Sequence, residues 1–358
     1  MARGNGLRCV IATGGTAGHV LPSLAVAEAL TARGAHVTFA GSPDRVEARL
    51  VPEAGYELDI FRISGLPRRP GLDLARALIR VVRAPVACRR ILERRRPDVV
   101  LGGGSYVGGP MVVAAASRHI PAALTEADAH LGLANRLAAP LARRVFLSFP
   151  IPGRDGGKYE VTGRPIPARN RALPRDEGRR RFELPLDGPV LLVFGGSLGA
   201  RPLNELAIES FGVTGPAVLH LCGQRDYDAL RGRVQRDDYR LVPFTDEFGA
   251  ALGAADLALS RAGGSVWELA AAGLPAVLVP WPGAAADHQT ANARYFERSG
   301  GVVVVPELEL GHASGVVRSL LGDARRLDRM REAMLRIARP DAADAIAEEL
   351  IGLGRAGR

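Results

Sequence analysis

The chain carries one local device twice, and that repetition limits its possible folds more than any bulk property does. The strand-like run Leu7-Arg8-Cys9-Val10-Ile11-Ala12 opens into Thr13-Gly14-Gly15-Thr16-Ala17-Gly18-His19. Much later Val190-Leu191-Leu192-Val193-Phe194 opens into Gly195-Gly196-Ser197-Leu198-Gly199-Ala200-Arg201. In both places an apolar run gives way to glycines and then to a helical stretch, so bare backbone N–H groups and a helix start can approach phosphate oxygens. A diphosphate held between two halves is the reading these loops suggest.

Around the loops, short apolar strands alternate with amphipathic helices, the pattern of an α/β chain whose parallel sheets are covered by helices on both faces. Strands are expected near Cys9–Ala12, Val37–Ala40, Val99–Leu101, Ala122–Leu124 and Val145–Leu147. A second series is expected near Val190–Phe194, Val218–Leu221, Arg240–Val242, Leu257–Leu259, Ala276–Val279 and Val302–Val305. First-half helices are expected after Pro22, Arg45, Leu72, Gly109 and Gly132, with Pro22 placed to open its helix. The cluster Gly163-Arg164-Pro165-Ile166-Pro167 interrupts the alternation and predicts a hinge. Two doubly wound domains facing a cleft follow, at 1–163 and 164–337, with a last segment at 338–358. Their 358 residues, 47% hydrophobic, suffice for two cores.

The net charge of +9 calls for an anionic partner. Arginines crowd the stretch 68–96, where Leu74, Leu78, Arg80, Val82 and Arg83 read as a basic apolar helix suited to an anionic membrane surface. Nucleic acid is disfavoured, because no binding module or aromatic stacking series accompanies the charge. Cys9, Cys88 and Cys222 lack paired-ligand spacing, which argues against a disulfide framework or structural zinc and fits a reducing cytoplasm. No stretch approaches the roughly 18–20 apolar residues of a spanning helix.

Individual residues then carry the chemistry. His19 closes the first glycine turn, where it is either a general base or a polar cap. Gly102-Gly103-Gly104-Ser105-Tyr106-Val107-Gly108-Gly109-Pro110 reads as another close-approach loop. The most specific stretch runs from Ser260 through Gly263, Gly264 and Ser265 to Glu268, followed by Pro280-Trp281-Pro282 and Asp287-His288-Gln289. Glu268 lies one turn into a helix, so its carboxylate can accept both hydroxyls of a ribose while the helix start faces the diphosphate.

In this order, GGTAGH, GGGSYVGGP, the segment Glu126 to Val145, GGSLGARPLNE, SRAGGSVWELAAAGLPAVLVPWP and DHQTANA resemble the MurG glycosyltransferases over almost the whole chain. The resemblance implies a GT-B fold whose C-terminal domain grips UDP-GlcNAc, with the last helix returning to the N-terminal domain. It implies transfer of N-acetylglucosamine to undecaprenyl-linked lipid I, giving lipid II, at the cytoplasmic face of the membrane as a peripheral enzyme, beside other cell-wall synthesis proteins. No metal is implied. Thr16, Ala17 and Gly18 match positions that approach the donor, Ser197 the serine at its diphosphate, Glu268 and Gln289 the ribose and sugar contacts, and Phe244 and Thr245 the uracil cover. His19 matches the base that assists the acceptor C4 hydroxyl, with Glu126 a second catalytic candidate. Departures gather on the substrate side and leave a related GT-B enzyme that glycosylates a different lipid acceptor as the alternative. Asp128 replaces an amide, Arg164 stands three positions before the usual arginine, Ala17 replaces a glycine, and the loop before Glu268 is one residue short.

Two other classes fit parts of the sequence. Gly195-Gly196-Ser197-Leu198-Gly199 fits a serine-hydrolase elbow, with Asp256 and His288 or His312 in triad order. A catalytically silent membrane-docking subunit would keep the basic helix but has no use for His19, Glu268 or Gln289.

Overall fold

The computed structural model describes residues 6–63, 72–196 and 198–357, with the side chains of 72–79 and 81 outside that description. The chain divides into two compact units, Met1–Pro167 with Pro340–Arg358, and Ala168–Arg339. The division falls a few residues beyond the expected hinge. Arg164 and Ile166 are buried, and the Arg164 guanidinium donates to the Gly18 carbonyl, which ties the proline-rich segment to the first unit.

The first unit is built on a seven-stranded sheet in the order β3-β2-β1-β4-β5-β6-β7. Its strands are β1 (Arg8–Ala12), β2 (His36–Gly41), β3 (Leu58–Ile60), β4 (Val99–Gly102), β5 (Ala122–Glu126), β6 (Arg144–Leu147) and β7 (Tyr159–Val161). All are paired in parallel. The helices are α1 (Ala17–Ala32), α2 (Glu47–Glu53), α3 (Leu72–Arg95), α4 (Ser105–Ala116) and α5 (Leu133–Ala138), and the last helix of the chain, α14 (Ala342–Ala356), completes the unit.

Period-two alternation explains the layering. Cys9 and Ile11 of β1 join Leu24 and Leu30 of α1 and Ile346 and Leu350 of α14 in one core. Val10 and Ala12 join Leu92, Met111 and Val112 in the other. At its rim α14 is fixed by ion pairs from Arg33 to Asp344 at 2.8 Å and from Arg144 to Glu349 at 3.0 Å.

The second unit repeats the scheme with six parallel strands in the order β10-β9-β8-β11-β12-β13. They are β8 (Val190–Phe194), β9 (Ala217–Leu221), β10 (Tyr239–Val242), β11 (Leu257–Ser260), β12 (Ala276–Leu278) and β13 (Val302–Val304). The helices are α6 (Arg175–Arg181), α7 (Arg201–Phe211), α8 (Gln224–Leu230), α9 (Phe248–Ala254), α10 (Val266–Ala271), α11 (His288–Ser299), α12 (Ala313–Leu321) and α13 (Ala324–Ile337).

Several local expectations are corrected. β3 and β7 join the sheet although no apolar run marks them, because Leu-Asp-Ile and Tyr-Glu-Val are short sheet edges. The Gly102–Pro110 stretch is mostly helix rather than loop, since α4 starts at Ser105. A Cβ on Gly108 would lie 3.0 Å from the Gly102 Cα, so these glycines let α4 settle onto β4. Pro22 does not open α1 but sits inside it. It therefore lacks the N–H that would bond the Gly18 carbonyl. No helix among the described residues is long and apolar enough to cross a membrane.

Candidate functional site

In each sheet the strand order reverses beside the first strand of the unit, between β1 and β4 and between β8 and β11. Ligands of doubly wound sheets bind outside the carboxyl ends of the strands at such a reversal. The two glycine loops follow β1 and β8, so each occupies the switch point of its own unit.

In the first unit, Gly15 adopts φ 91°, where other residues are strained, and its N–H donates to Glu47 Oε2 at 3.0 Å. The other carboxylate oxygen of Glu47 accepts the Ser42 N–H at 3.0 Å. Glu47 is fully buried, and a Cβ on Gly14 would collide with it. Sequence reasoning missed this residue. Its only local signal is an acidic side chain in the first turn of α2, and its partners lie on other loops.

His19 stands in the first turn of α1, after exposed Thr16 and Gly18 and half-buried Ala17. Its backbone carbonyl accepts from Ser23 Oγ at 2.9 Å and from Thr13 Oγ1 at 3.1 Å. Gly104, at φ 81°, makes room for the imidazole, since a Cβ there would lie 2.7 Å from Nδ1. The loops after β1 and β4 thus meet at His19. Arg164, 7% exposed, donates through Nη2 to the Gly18 carbonyl that Pro22 cannot serve.

Glu126 at the end of β5 is 5% exposed. Oε1 accepts the Ala127 N–H at 2.9 Å, and Oε2 accepts from Gly132 N and Asn135 Nδ2, both at 2.9 Å. Burial raises its pKa, with nearby Asp128 adding to the rise, while the N–H donors from Gly132 and Asn135 oppose it. Its acceptors serve its own loop. Glu126 therefore organises its own loop and leaves half-buried Asp128 on the rim.

In the second unit, Gly196 and Gly199 have φ of 89° and 73°. Ser197 lies outside the described residues. A Cβ on Gly199 would strike the Cys222 carbonyl, which also receives Asn204 Nδ2 at 2.8 Å. The same Nδ2 reaches Asp226 at 3.0 Å, so Asn204 Oδ1 is the atom that faces His220 Nε2, at 3.0 Å. His220 must donate there and accept from the Tyr239 hydroxyl at its Nδ1, 2.9 Å away. Burial pushes this imidazole down to about 3. The network fixes the floor of the second glycine loop.

Gly263, Gly264 and Ser265 are half-buried and lead into α10, where Glu268 occupies the first turn. Asn170, 6% exposed in the turn Ala168–Asn170, donates Nδ2 to Glu268 Oε1 at 2.6 Å. Gln289 is within α11 and accepts the Trp281 N–H at 2.9 Å. Phe244 is 50% exposed, while Thr245 Oγ1 accepts the Glu247 N–H at 3.0 Å. Among the described residues, no group of three or more His, Cys, Asp and Glu is placed to hold a metal ion.

The hydrolase arrangement fails on geometry. Asp256 bonds Val190 N and Arg179, both at 2.8 Å, at the amino end of β8. The glycine loop leaves the other end of that strand, about 17 Å away at 3.3 Å per residue.

On α3, Arg80 and Arg83 are exposed and Val82 is 76% exposed, while the side chains of Leu74 and Leu78 lie outside the described residues. Ala84, Cys88, Ile91 and Leu92 form the buried face.

Residues 9–147 match the Glycosyltransferase family 28 N-terminal domain and residues 190–348 the Glycosyltransferase family 28 C-terminal domain. A protein of Acidithiobacillus ferrooxidans named UDP-N-acetylglucosamine--N-acetylmuramyl-(pentapeptide) pyrophosphoryl-undecaprenol N-acetylglucosamine transferase is 44% identical, with 96% of each chain covered. One of the same name from Mycolicibacterium paratuberculosis is 40% identical over 98% of this chain and 89% of its own. The crystal structure of Acinetobacter baumannii MurG superposes with a TM-score of 0.76 at 27% identity, covering 97% of this chain and 99% of that one. A kitacinnamycin glycosyltransferase shares the fold, with a TM-score of 0.72 at 21% identity, covering 97% and 100%. With two GT-B-type parallel-sheet units and relatives across nearly all its length, the chain belongs to the MurG family within glycosyltransferase family 28.

Proposed function

We propose that this protein transfers N-acetylglucosamine from UDP-GlcNAc to the C4 hydroxyl of the MurNAc unit of undecaprenyl-pyrophosphoryl-MurNAc-pentapeptide, lipid I, forming lipid II. The observation that carries this is 44% identity to a transferase of that name over 96% of the chain.

In this reading the second unit grips the donor. The glycine loop with Ser197 and the start of α7 hold the diphosphate, Glu268 accepts the ribose hydroxyls, Gln289 and the Gly263–Ser265 loop meet the sugar, and Phe244 and Thr245 cover the uracil. The bond from Asn170 to Glu268 supports the ribose role, because it fixes the carboxylate before a ligand arrives. In the first unit, Thr16, Ala17 and Gly18 approach the donor, Asp128 and Arg164 influence acceptor choice, and His19 takes the proton of the C4 hydroxyl. That oxygen bonds to the anomeric carbon as the bond to UDP breaks, inverting the centre. The negative charge passes to the diphosphate, where N–H groups stabilise it without a metal. The exposed arginines and Val82 of α3, with Leu74 and Leu78, rest on an anionic membrane at the cytoplasmic face.

The test is product mass and UDP release from purified protein given UDP-GlcNAc and a water-soluble lipid I analogue with a chelator present. Gain of one N-acetylhexosamine establishes the transfer. Donor binding without product removes lipid I as the acceptor.

A further inference from the structure

A polar cavity of the first unit takes no part in the reading above, apart from its α3 residue Arg80. It encloses about 380 Å³ and is lined by Ser42, Pro43, Asp44 and Arg45 of the β2–α2 loop, by Arg62 and Ile63 after β3, and by Arg80 of α3. It opens beyond the carboxyl ends of β2 and β3, on the sheet edge that carries the first glycine loop. Its lining thus holds three arginines and one carboxylate, Asp44. Several other arginines of the unit are spent on structure: Arg94 and Arg95 clamp Asp59 at 2.6 and 2.7 Å, and Arg33 and Arg144 bind α14. Arg45 and Arg62 form no ion pair with a carboxylate among the described residues.

We propose that the Arg45–Arg62–Arg80 cavity binds a phosphate-bearing anion. Planar guanidinium forks match phosphate oxygens two at a time, and here arginines from three separate elements line one cavity. The cavity is also tied to the glycine loop. Ser42 on its wall and Gly15 in that loop donate to the two oxygens of one buried carboxylate, Glu47. An anion that draws the β2–α2 loop inward therefore steadies the backbone leading to His19. The phosphate belongs either to a diphosphate ligand or to a lipid headgroup. The proposal needs no acceptor sugar; its headgroup outcome rests on the membrane docking proposed above, and its diphosphate outcome stands apart from it.

The test uses the full-length protein with UDP at saturation, so that the donor site is filled. Inorganic pyrophosphate is titrated calorimetrically, and phosphatidylglycerol vesicles are compared with phosphatidylcholine vesicles by co-sedimentation. The double variant Arg45→Gln/Arg62→Gln is set against Arg89→Gln/Arg90→Gln, which removes equal charge from exposed positions of α3 outside the cavity. Unchanged circular dichroism and thermal unfolding certify folding of each variant, since the substitutions lie in the first unit and the proposed UDP site in the second. Pyrophosphate binding weakened at least tenfold only in the cavity variant identifies a diphosphate ligand. Vesicle binding lost only in that variant, with no pyrophosphate uptake by the parent protein, identifies a headgroup. A parent protein that binds neither probe, or a cavity variant that binds as the parent or the control does, overturns the proposal.

Discussion

The Arg164 guanidinium caps the Gly18 carbonyl, the acceptor that Pro22 deprives of its helical N–H. A buried cation from the segment after β7 thereby completes the first turn of α1, directly before His19. The residue that departs from the family pattern serves that loop's backbone.

Replacing Arg164 by Met should lower kcat roughly 10- to 100-fold through misplacement of His19. Pro22→Ala restores an N–H for the same carbonyl and should recover part of the loss in the double variant. Steady-state kinetics of the four-member cycle measure this coupling. Strictly additive effects would show that the two residues act separately.

Glu47 makes a related claim on the same loop. Glu47→Gln keeps shape but turns one acceptor oxygen into a donor that faces a backbone N–H. Turnover should fall about tenfold, with UDP affinity in the second unit unchanged. Equal losses of kcat and UDP binding would point instead to general destabilisation.

Roles assigned to the two units predict opposite kinetic signatures. His19→Ala should reduce kcat by roughly 10²–10⁴ with little effect on UDP-GlcNAc binding. Glu268→Ala, and more mildly Asn170→Ala, should raise the donor KM. A His19 variant with full turnover would remove that residue from the mechanism.

Stability should fall on mild acidification because of His220. Its ordinary pKa of 6.5 is pushed down to about 3 by burial, so the native state binds fewer protons than the unfolded chain across that interval. The contribution is fully present above 6.5 and is lost as pH falls towards 3, at up to about 1.4 kcal/mol per pH unit. Urea unfolding at pH 7 and pH 5 should differ by about 2 kcal/mol from this group. In His220→Gln that component should vanish, and an unchanged slope would assign the acid sensitivity elsewhere.

Membrane docking by α3 should be salt-sensitive and apolar at once. Val82→Glu should reduce binding to anionic vesicles, and added salt should weaken the parent protein's binding over the ordinary screening range. Salt-independent binding would move the contact away from this helix.

The sequence by itself determined the α/β class, two parallel sheets, the glycine loops at their strand ends and the family. Those depend on local rules: an apolar run must be buried on both faces, and glycines must follow where backbone approaches closely. Phe194 opening into Gly195-Gly196 is legible without knowing any distant partner. The tertiary structure alone decided what holds the loops in place. Glu47 meets Gly15, Arg164 meets Gly18, Asn170 meets Glu268, and His220 meets Asn204 across loops that chain order separates. A carboxylate or guanidinium carries no mark of its partner in one dimension, because burial and direction arise only when strands align. The same limit explains Glu126, which the family resemblance offers as a catalytic candidate and whose bonds to Gly132 and Asn135 only the folded loop shows.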